Sequence, residues 1–255
     1  MCYAEKNIKI FQETRKKSKE LINNGYPQIT ESRVTTTPNF RDWRDLLPLP
    51  NIKVINDDVI AVAKKMKAEL GQPVAILNLA DALVPGGLVL EGANTQEECI
   101  CRQTTLYESL ITDSCKTFYY DENVDAVKMS GDYTFTDNAI ISPHVYTVDD
   151  LTEFQVVTIP APVYTRKVAK YLKNIMLTRI HSMMWAFART GCKNLVLGAF
   201  GCGAFGNDPR MVAPIFKNRL KNFSFDNVWF AIRADGPTGI NNYEVFYETF
   251  KEVIS

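Results

Sequence analysis

Several short runs in this chain are apolar on successive residues: Val74-Ala75-Ile76-Leu77, Val156-Val157, Leu195-Val196-Leu197 and Val228-Trp229-Phe230-Ala231-Ile232. A strand with one face in water alternates apolar and polar residues, and these runs do not. They read as strands of a sheet covered on both faces. On this reading residues 52–56, 73–79, 139–142, 154–159, 194–199 and 228–232 are strands. Helical patterns occupy residues 4–23, 57–70, 97–110 and 165–190, a stretch from Pro209 onward, and residues 242–253. Alternation of this kind predicts an α/β fold with helices on both sides of the sheet. The first helix is charged and ends at Gly25-Tyr26-Pro27. It is followed by a polar stretch over 28–39, then Phe40-Arg41-Asp42-Trp43 and the proline-broken Leu46-Leu47-Pro48-Leu49-Pro50. No repeat and no low-complexity linker interrupts the chain. The expected organisation is an N-terminal helical extension over residues 1–50 and one α/β domain over 51–255.

Bulk composition removes several function classes. Lys+Arg and Asp+Glu both total 29 in 255 residues. No global charge favours nucleic acid or a membrane surface, so any anion affinity must be local. Neither direct nucleic-acid reading nor membrane association is expected. No apolar run approaches the roughly 18–20 residues that span a bilayer. The six cysteines lack C-x-x-C spacing and the chain has two histidines. A metal site is not expected, nor is any other cofactor. Free thiols and an N-terminal segment without an apolar leader core predict a cytoplasmic protein.

Two loops carry the chemistry. Pro85-Gly86-Gly87-Leu88 through Gln96-Glu97-Glu98 follows the strand over 73–79. Gly198-Ala199-Phe200-Gly201-Cys202-Gly203-Ala204-Phe205-Gly206-Asn207 follows the strand over 194–199. Each joins a strand to a helix through glycines. Bare N–H groups and the positive end of a helix dipole then converge on an anion. Ligands of open α/β sheets sit at the carboxyl ends of the strands, where Asn78 and Asp81 also lie. A phosphate cradle beside the adjacent carboxylates Glu97 and Glu98 points to hydrolysis of a nucleotide-like substrate.

Structural readings compete at each position. Thr95 and Glu98 fit a capping box, and Glu97 complements the helix dipole. A helix N-terminus lowers the pKa of Glu98, whereas burial and the Glu97 charge raise it. General acid catalysis at neutral pH requires the second pair of effects to win. The 198–207 loop could be a tight turn without a ligand, and Asp58 a plain helix cap. His181 sits among Ile180, Met184 and Trp185 and reads as a core histidine. His144 stands in a loop with no second histidine near it. Cys202 reads as a structural thiol in a glycine turn, since no histidine is near to activate it.

The segments Asn78-Leu79-Ala80, Pro85-Gly86-Gly87, Gly92-Ala93, Gln96-Glu97-Glu98, Cys101-Arg102 and Leu106-Tyr107 succeed one another with a distinctive spacing. That spacing resembles the signature loop of the microbial-type poly(ADP-ribose) glycohydrolases, whose motif reads G-G-G, a short spacer, then Q-E-E. Residues 196–207 are similar to the same family's phosphate-binding loop. Glu13-Thr14 through Gly25-Tyr26, Ile141-Ser142-Pro143 and Pro160-Ala161-Pro162 extend the likeness over nearly the whole chain.

The resemblance implies a macrodomain-like three-layer α/β/α sandwich with a mixed central sheet. It implies an ADP-ribose glycohydrolase acting on poly(ADP-ribose) or ADP-ribosylated protein. Glu98 would be general acid and then base at the distal ribose, and Glu97 would hydrogen-bond the ribose hydroxyls. Asp58 would accept from the adenine amino group. Asn78, Asp81, Gly86, Gly87 and Gln96 would line the ribose side. Gly201, Cys202, Gly203, Ala204, Gly206 and Asn207 would cradle the diphosphate, with Phe205 against the distal ribose. Leu88 departs from the pattern, standing where the family has a third glycine, and Glu91 stands where a small residue is common. That departure keeps two alternatives open: a reader of ADP-ribose that does not cleave it, and a hydrolase specific for single ADP-ribose units on protein. A third is hydrolysis of an ester or phosphate on free ADP-ribose derivatives.

Overall fold

The computed structural model describes residues 2–36, 46–235 and 239–253, with backbone only at 239–240. The Phe40-Arg41-Asp42-Trp43 segment lies outside the described residues. Helix α1 (Tyr3–Asn23) leads through a 3-10 turn, Pro27–Thr30, to strand β1 (Arg33–Thr35). Then come β2 (Asn51–Ile55), α2 (Val59–Leu70), β3 (Val74–Leu79), α3 (Gln96–Gln103), α4 (Leu106–Leu110), α5 (Asp113–Cys115) and α6 (Asp121–Ser130). Strands β4 (Ala139–Tyr146) and β5 (Glu153–Ile159) follow, then α7 (Leu172–Thr190), β6 (Asn194–Leu197), α8 (Pro209–Leu220), β7 (Asn227–Ala231) and α9 (Gly239–Phe250).

Among the described residues the strands form one seven-stranded sheet in the order β1-β4-β5-β3-β6-β7-β2. The five strands from β5 to β2 run parallel, and β4 and β1 are antiparallel to their neighbours. The sheet is therefore mixed, as the resemblance implied. Successive side chains of a strand point to opposite faces, and the two cores divide accordingly. Ala75, Leu77, Val157, Leu195, Leu197, Val228 and Phe230 join Met176, Ile180, Phe216 and Phe246 on the face covered by α7, α8 and α9. Val74, Ile76, Val156, Val196 and Trp229 join Val62, Met66, Ile100 and Leu106 on the face covered by α2, α3 and α4.

Several boundaries differ from expectation. The helix expected over 97–110 breaks between α3 and α4. Thr105 N there donates to Tyr146 O and Val148 N to Gln103 O, so the backbone pairs with the end of β4 instead of continuing the helix. The long helix begins at Leu172, not near 165, because residues 165–171 close as tight turns. Strand β4 runs past 142 with a register shift between Ser142 and Val145, where Pro143 supplies no N–H. The N-terminal extension is not only helical, since β1 adds an edge strand beside β4.

Helix α1 turns Asn7, Phe11, Thr14 and Ser18 inward at helical spacing. Asn7 Nδ2 donates to Gly92 O at 2.9 Å, and Thr14 Oγ1 to Arg102 O at 2.6 Å. The extension thus braces both α3 and the loop that leads into it.

Candidate active site

The carboxyl ends of β3, β6 and β7 open onto a cavity of about 430 Å³. Glu97 and Glu98 line it from the first turn of α3, and both are buried, at 2% and 4% exposure. Glu98 does form the expected capping box with Thr95. Its Oε2 accepts from Thr95 N at 2.9 Å and from the Thr95 hydroxyl, and its Oε1 accepts from Leu88 N at 3.0 Å. The capping and catalytic readings are therefore compatible, because the cap fixes the carboxylate at the cavity wall.

Glu97 is held differently. Oε1 accepts from Asn78 Nδ2 at 3.0 Å and Oε2 from Asp81 N at 2.7 Å. Burial pushes its carboxyl up to about 8, with help from the charges of Asp81 and Glu98, and outweighs these two hydrogen bonds. Sequence reasoning weighed the opposing effects of burial and helix N-terminus on Glu98 and made no such statement for Glu97, where burial wins.

The glycines make this pair possible. Gly87 has φ +59°, and a Cβ there would lie 2.5 Å from Glu98 Oε1 and 3.2 Å from Glu97 Oε2. The two carboxylates close over the space that a side chain would fill. Gly86 turns toward the Tyr107 ring, away from the cavity. Leu88 has φ −94°, a conformation open to any residue, so its side chain does not strain the loop. It lines the cavity and is 47% exposed.

Gln96 also lines the cavity, but its amide is committed to β3. Oε1 accepts from Leu79 N at 2.8 Å and Nε2 donates to Leu77 O at 2.6 Å. Asn78 lies fully buried behind Glu97, and its Nδ2 also reaches Thr158 Oγ1 at 3.2 Å. Asp81 Oδ1 accepts from Leu83 N and Val84 N, which shapes the start of the glycine loop.

In the second loop, Gly201, Gly203, Ala204 and Phe205 line the cavity. Their N–H groups find no backbone partner among the described residues, which makes them the available anion donors. The Gly206 N–H is used internally, donating to Gly203 O at 3.0 Å. Cys202 and Asn207 are buried supports. Burial pushes the Cys202 thiol up to about 12, which argues against a nucleophile. Asn207 Nδ2 donates to Pro162 O and Gly201 O, fastening the loop to the end of β5. Gly201 has φ +72°, and a Cβ there would meet Asn207 Nδ2 at 2.6 Å and Ala161 Cβ at 2.7 Å.

Asp58 caps α2, its Oδ1 accepting from Ile60 N and Ala61 N, and it lines the same cavity. Its cap role does not exclude a ligand role, because these bonds use one oxygen. Sequence reasoning missed Arg233, Asn94 and Asn242. Arg233 follows β7 at the sheet's carboxyl edge, and that position was the available signal. Asn94 Oδ1 accepts from the buried Arg102 at 2.6 Å, and Asn242 Nδ2 donates to Cys202 O at 3.3 Å.

Neither histidine joins the site. His181 is buried against Phe223, and His144 Nδ1 contacts Glu153 Oε1 at 2.8 Å. Among the described residues no group of three or more His, Cys, Asp and Glu is placed to hold a metal. None of the helices there is long and apolar enough to cross a membrane.

Comparison with known proteins agrees with this fold. The fold is similar to poly(ADP-ribose) glycohydrolase (PARG) from Thermomonospora curvata, at TM-score 0.78 and 24% identity over 96% of this chain and 100% of that one. The same enzyme bound to the inhibitor ADP-HPD gives TM-score 0.77, at the same identity and coverage. PARG from Deinococcus radiodurans in complex with ADP-ribose is 26% identical, with TM-score 0.70, over 94% of this chain and 93% of that one. No curated protein matches the chain. Residues 3–150 match the family described as microbial-type PARG, catalytic domain. With more than half its length in that match, both glycine loops at one cavity and paired carboxylates between them, the chain belongs to the microbial-type PARG catalytic-domain family.

Proposed function

We propose that the cavity binds ADP-ribose with its adenine toward Asp58, its diphosphate on the 201–205 loop and its distal ribose between Phe205 and the carboxylates. As a member of its family the chain is an ADP-ribose glycohydrolase. The observation that carries the residue roles is the buried Glu97–Glu98 pair facing free N–H groups across one cavity.

Glu98 is the general acid and base, and Glu97 receives the ribose hydroxyls. Burial pushes the Glu97 carboxyl up to about 8, and ribose hydroxyls that donate to it favour its carboxylate. Glu98 then protonates the leaving oxygen as the bond to the anomeric carbon breaks. The cation-like sugar is stabilised by the remaining carboxylate charge and the ligand's diphosphate. Water attacks the anomeric carbon and returns a proton to Glu98. The tethered Asn78, Asp81 N–H, Leu88 N–H and Thr95 keep both carboxylates in place through the cycle. No step calls for a metal.

The same reading treats residues 1–50 as an extension of the catalytic domain over 51–255. The hydrogen bonds from Asn7 to Gly92 and from Thr14 to Arg102 of α3 pack that extension against the site. The test is release of ADP-ribose from poly- and mono-ADP-ribosylated protein. The wild type is expected to release it and Glu98→Gln to lose at least about 10³-fold in rate. Equal release by Glu98→Gln would remove Glu98 from the chemistry.

A further inference from the structure

The chain has no net charge, yet its charges are unevenly placed. From Phe154 to Asn207 there is no aspartate or glutamate, and there are seven lysines and arginines. Four of them, Arg166, Lys167, Lys170 and Lys173, fall between the end of β5 and the first turn of α7, and all four are exposed. The acids near this segment already have partners. Lys167 stands 3.8 Å from Asp132, Arg179 2.7 Å from Asp137 and, on α6, Lys128 3.2 Å from Asp125. Asp121 and Glu122 lie at the opposite end of α6 from Ser130, the residue that Lys167 touches. Arg166, Lys170 and Lys173 form no ion pair among the described residues. The acid-free run ends at Asp208, which caps α8.

These cations sit beside aromatic rings at the cavity rim. Lys167 Nζ donates to Ser130 O at 2.9 Å and Val163 N to Tyr133 O at 2.9 Å, so the turns over 165–171 are fastened to the 130–135 segment. Tyr164 N donates to Phe205 O at 2.9 Å, which joins both to the second glycine loop. Phe205 lines the cavity, the Phe135 ring lies 6.3 Å from it, and the Tyr133 ring meets Phe135 edge-on at 6.1 Å. Tyr133 and Tyr164 are each 48% exposed, so neither ring is spent on the core. Phe135 has φ +59°, a conformation that bulky residues rarely adopt. The buried Arg179 guanidinium holds it there, donating to Thr134 O at 2.7 Å and Phe135 O at 3.1 Å. Backbone strain that is clamped from below in this way gathers at ligand sites.

The leaving oxygen is bonded to the anomeric carbon of the distal ribose. In a polymer that oxygen belongs to the next ADP-ribose unit, which brings an adenine and a dianionic diphosphate to the rim. Exposed aromatic rings stack bases of any identity, and unpaired lysines and arginines attract phosphate. We infer that Tyr133 and Tyr164, with Arg166, Lys170 and Lys173, form a second subsite that holds the adenine and diphosphate of the unit next to the one in the cavity. The inference rests on the proposed placement of the distal ribose against Phe205. These residues touch no reacting atom, so they act on KM for the chain and leave kcat alone.

The test measures kcat and KM on poly(ADP-ribose) of defined length and on an uncharged peptide bearing one ADP-ribose, with calorimetric Kd for free ADP-ribose. Wild type, Tyr133→Ala, Tyr133→Phe and the triple variant Arg166→Glu, Lys170→Glu, Lys173→Glu are compared at low and high salt, with Tm checked for each. The triple variant should raise polymer KM at least about 10-fold at low salt and flatten its salt dependence. Tyr133→Ala should raise polymer KM about 10-fold at both salts, and Tyr133→Phe should keep the wild-type value. Peptide KM, kcat on either substrate and ADP-ribose Kd should stay within about 2-fold of wild type, because the cavity is untouched. Polymer KM unmoved by Tyr133→Ala and the triple variant, or an equal rise on the peptide, would overturn the subsite while leaving the glycohydrolase reading intact. A wild type that binds no ADP-ribose and releases none from either substrate would overturn both.

Discussion

Glu97→Gln should make the protein more stable as pH rises, although it removes a hydrogen-bonded active-site residue. The buried carboxyl is raised from 4.5 to about 8. Between those values the folded state holds a proton that the unfolded chain has released. The stability contributed by that proton is therefore fully present below 4.5, falls as pH increases through that window and is lost above about 8. At about 1.4 kcal/mol per pH unit, the whole window corresponds to roughly 5 kcal/mol. Glutamine has the same shape and no charge to desolvate. Its carbonyl can accept from Asp81 N, and its amide can donate to Asn78 Oδ1, which is buried and unpartnered, once the Asn78 amide turns over. The assay is urea unfolding of wild type and variant at pH 5, 6, 7 and 8. The two should nearly coincide at pH 5 and diverge by several kcal/mol at pH 8, with the variant the more stable. Profiles that stay parallel within about 1 kcal/mol would refute the claim that Glu97 is buried at the cost of its charge.

Other perturbations follow from the same geometry. Gly87→Ala places a Cβ against Glu98 Oε1 at φ +59°, so the release rate should fall about 10²-fold or more with ADP-ribose binding largely kept, as steady-state kinetics and calorimetry would show. Asp58→Ala removes the cap of α2, which should cost about 1 kcal/mol in denaturant unfolding. If its other oxygen holds the adenine amino group, ADP-ribose Kd should also rise about 10-fold by calorimetry. EDTA should leave the release rate unchanged, since a proton-transfer mechanism on Glu98 uses no metal; a rate lost to chelation and restored by a divalent ion would contradict it.

Much of the site was legible because its chemistry lies in two continuous segments. The strand–glycine–helix pattern put Glu97, Glu98, Gly201, Gly203 and Phe205 at one sheet edge, and the fold brings them to one cavity. Patterning also revealed the covered sheet, because Ile76 and Leu77 are both buried on opposite faces. What stayed hidden depended on long-range partners. The break after Gln103 follows from pairing with the end of β4, and β1 exists because Arg33–Thr35 finds the free edge of that strand. The raised Glu97 pKa depends on how deeply the fold buries that carboxyl, which no spacing rule supplies. Gln96, Asn78 and Asn207 stand in the two motifs, yet their amide N–H groups go to backbone and buttressing contacts that no motif spells out. Arg233 was missed because it belongs to neither glycine loop.

The central claim is that one cavity binds ADP-ribose and that Glu98 cleaves its glycosidic bond there. The most direct measurement is calorimetric titration of ADP-ribose into wild type and Glu98→Gln, paired with release assays on the same preparations. The account predicts that both bind with comparable Kd and that only the wild type releases product. Binding by both with release by neither would contradict catalysis and leave a reader of ADP-ribose. Release surviving in Glu98→Gln would contradict the assigned acid, and absence of binding by either would contradict the site itself.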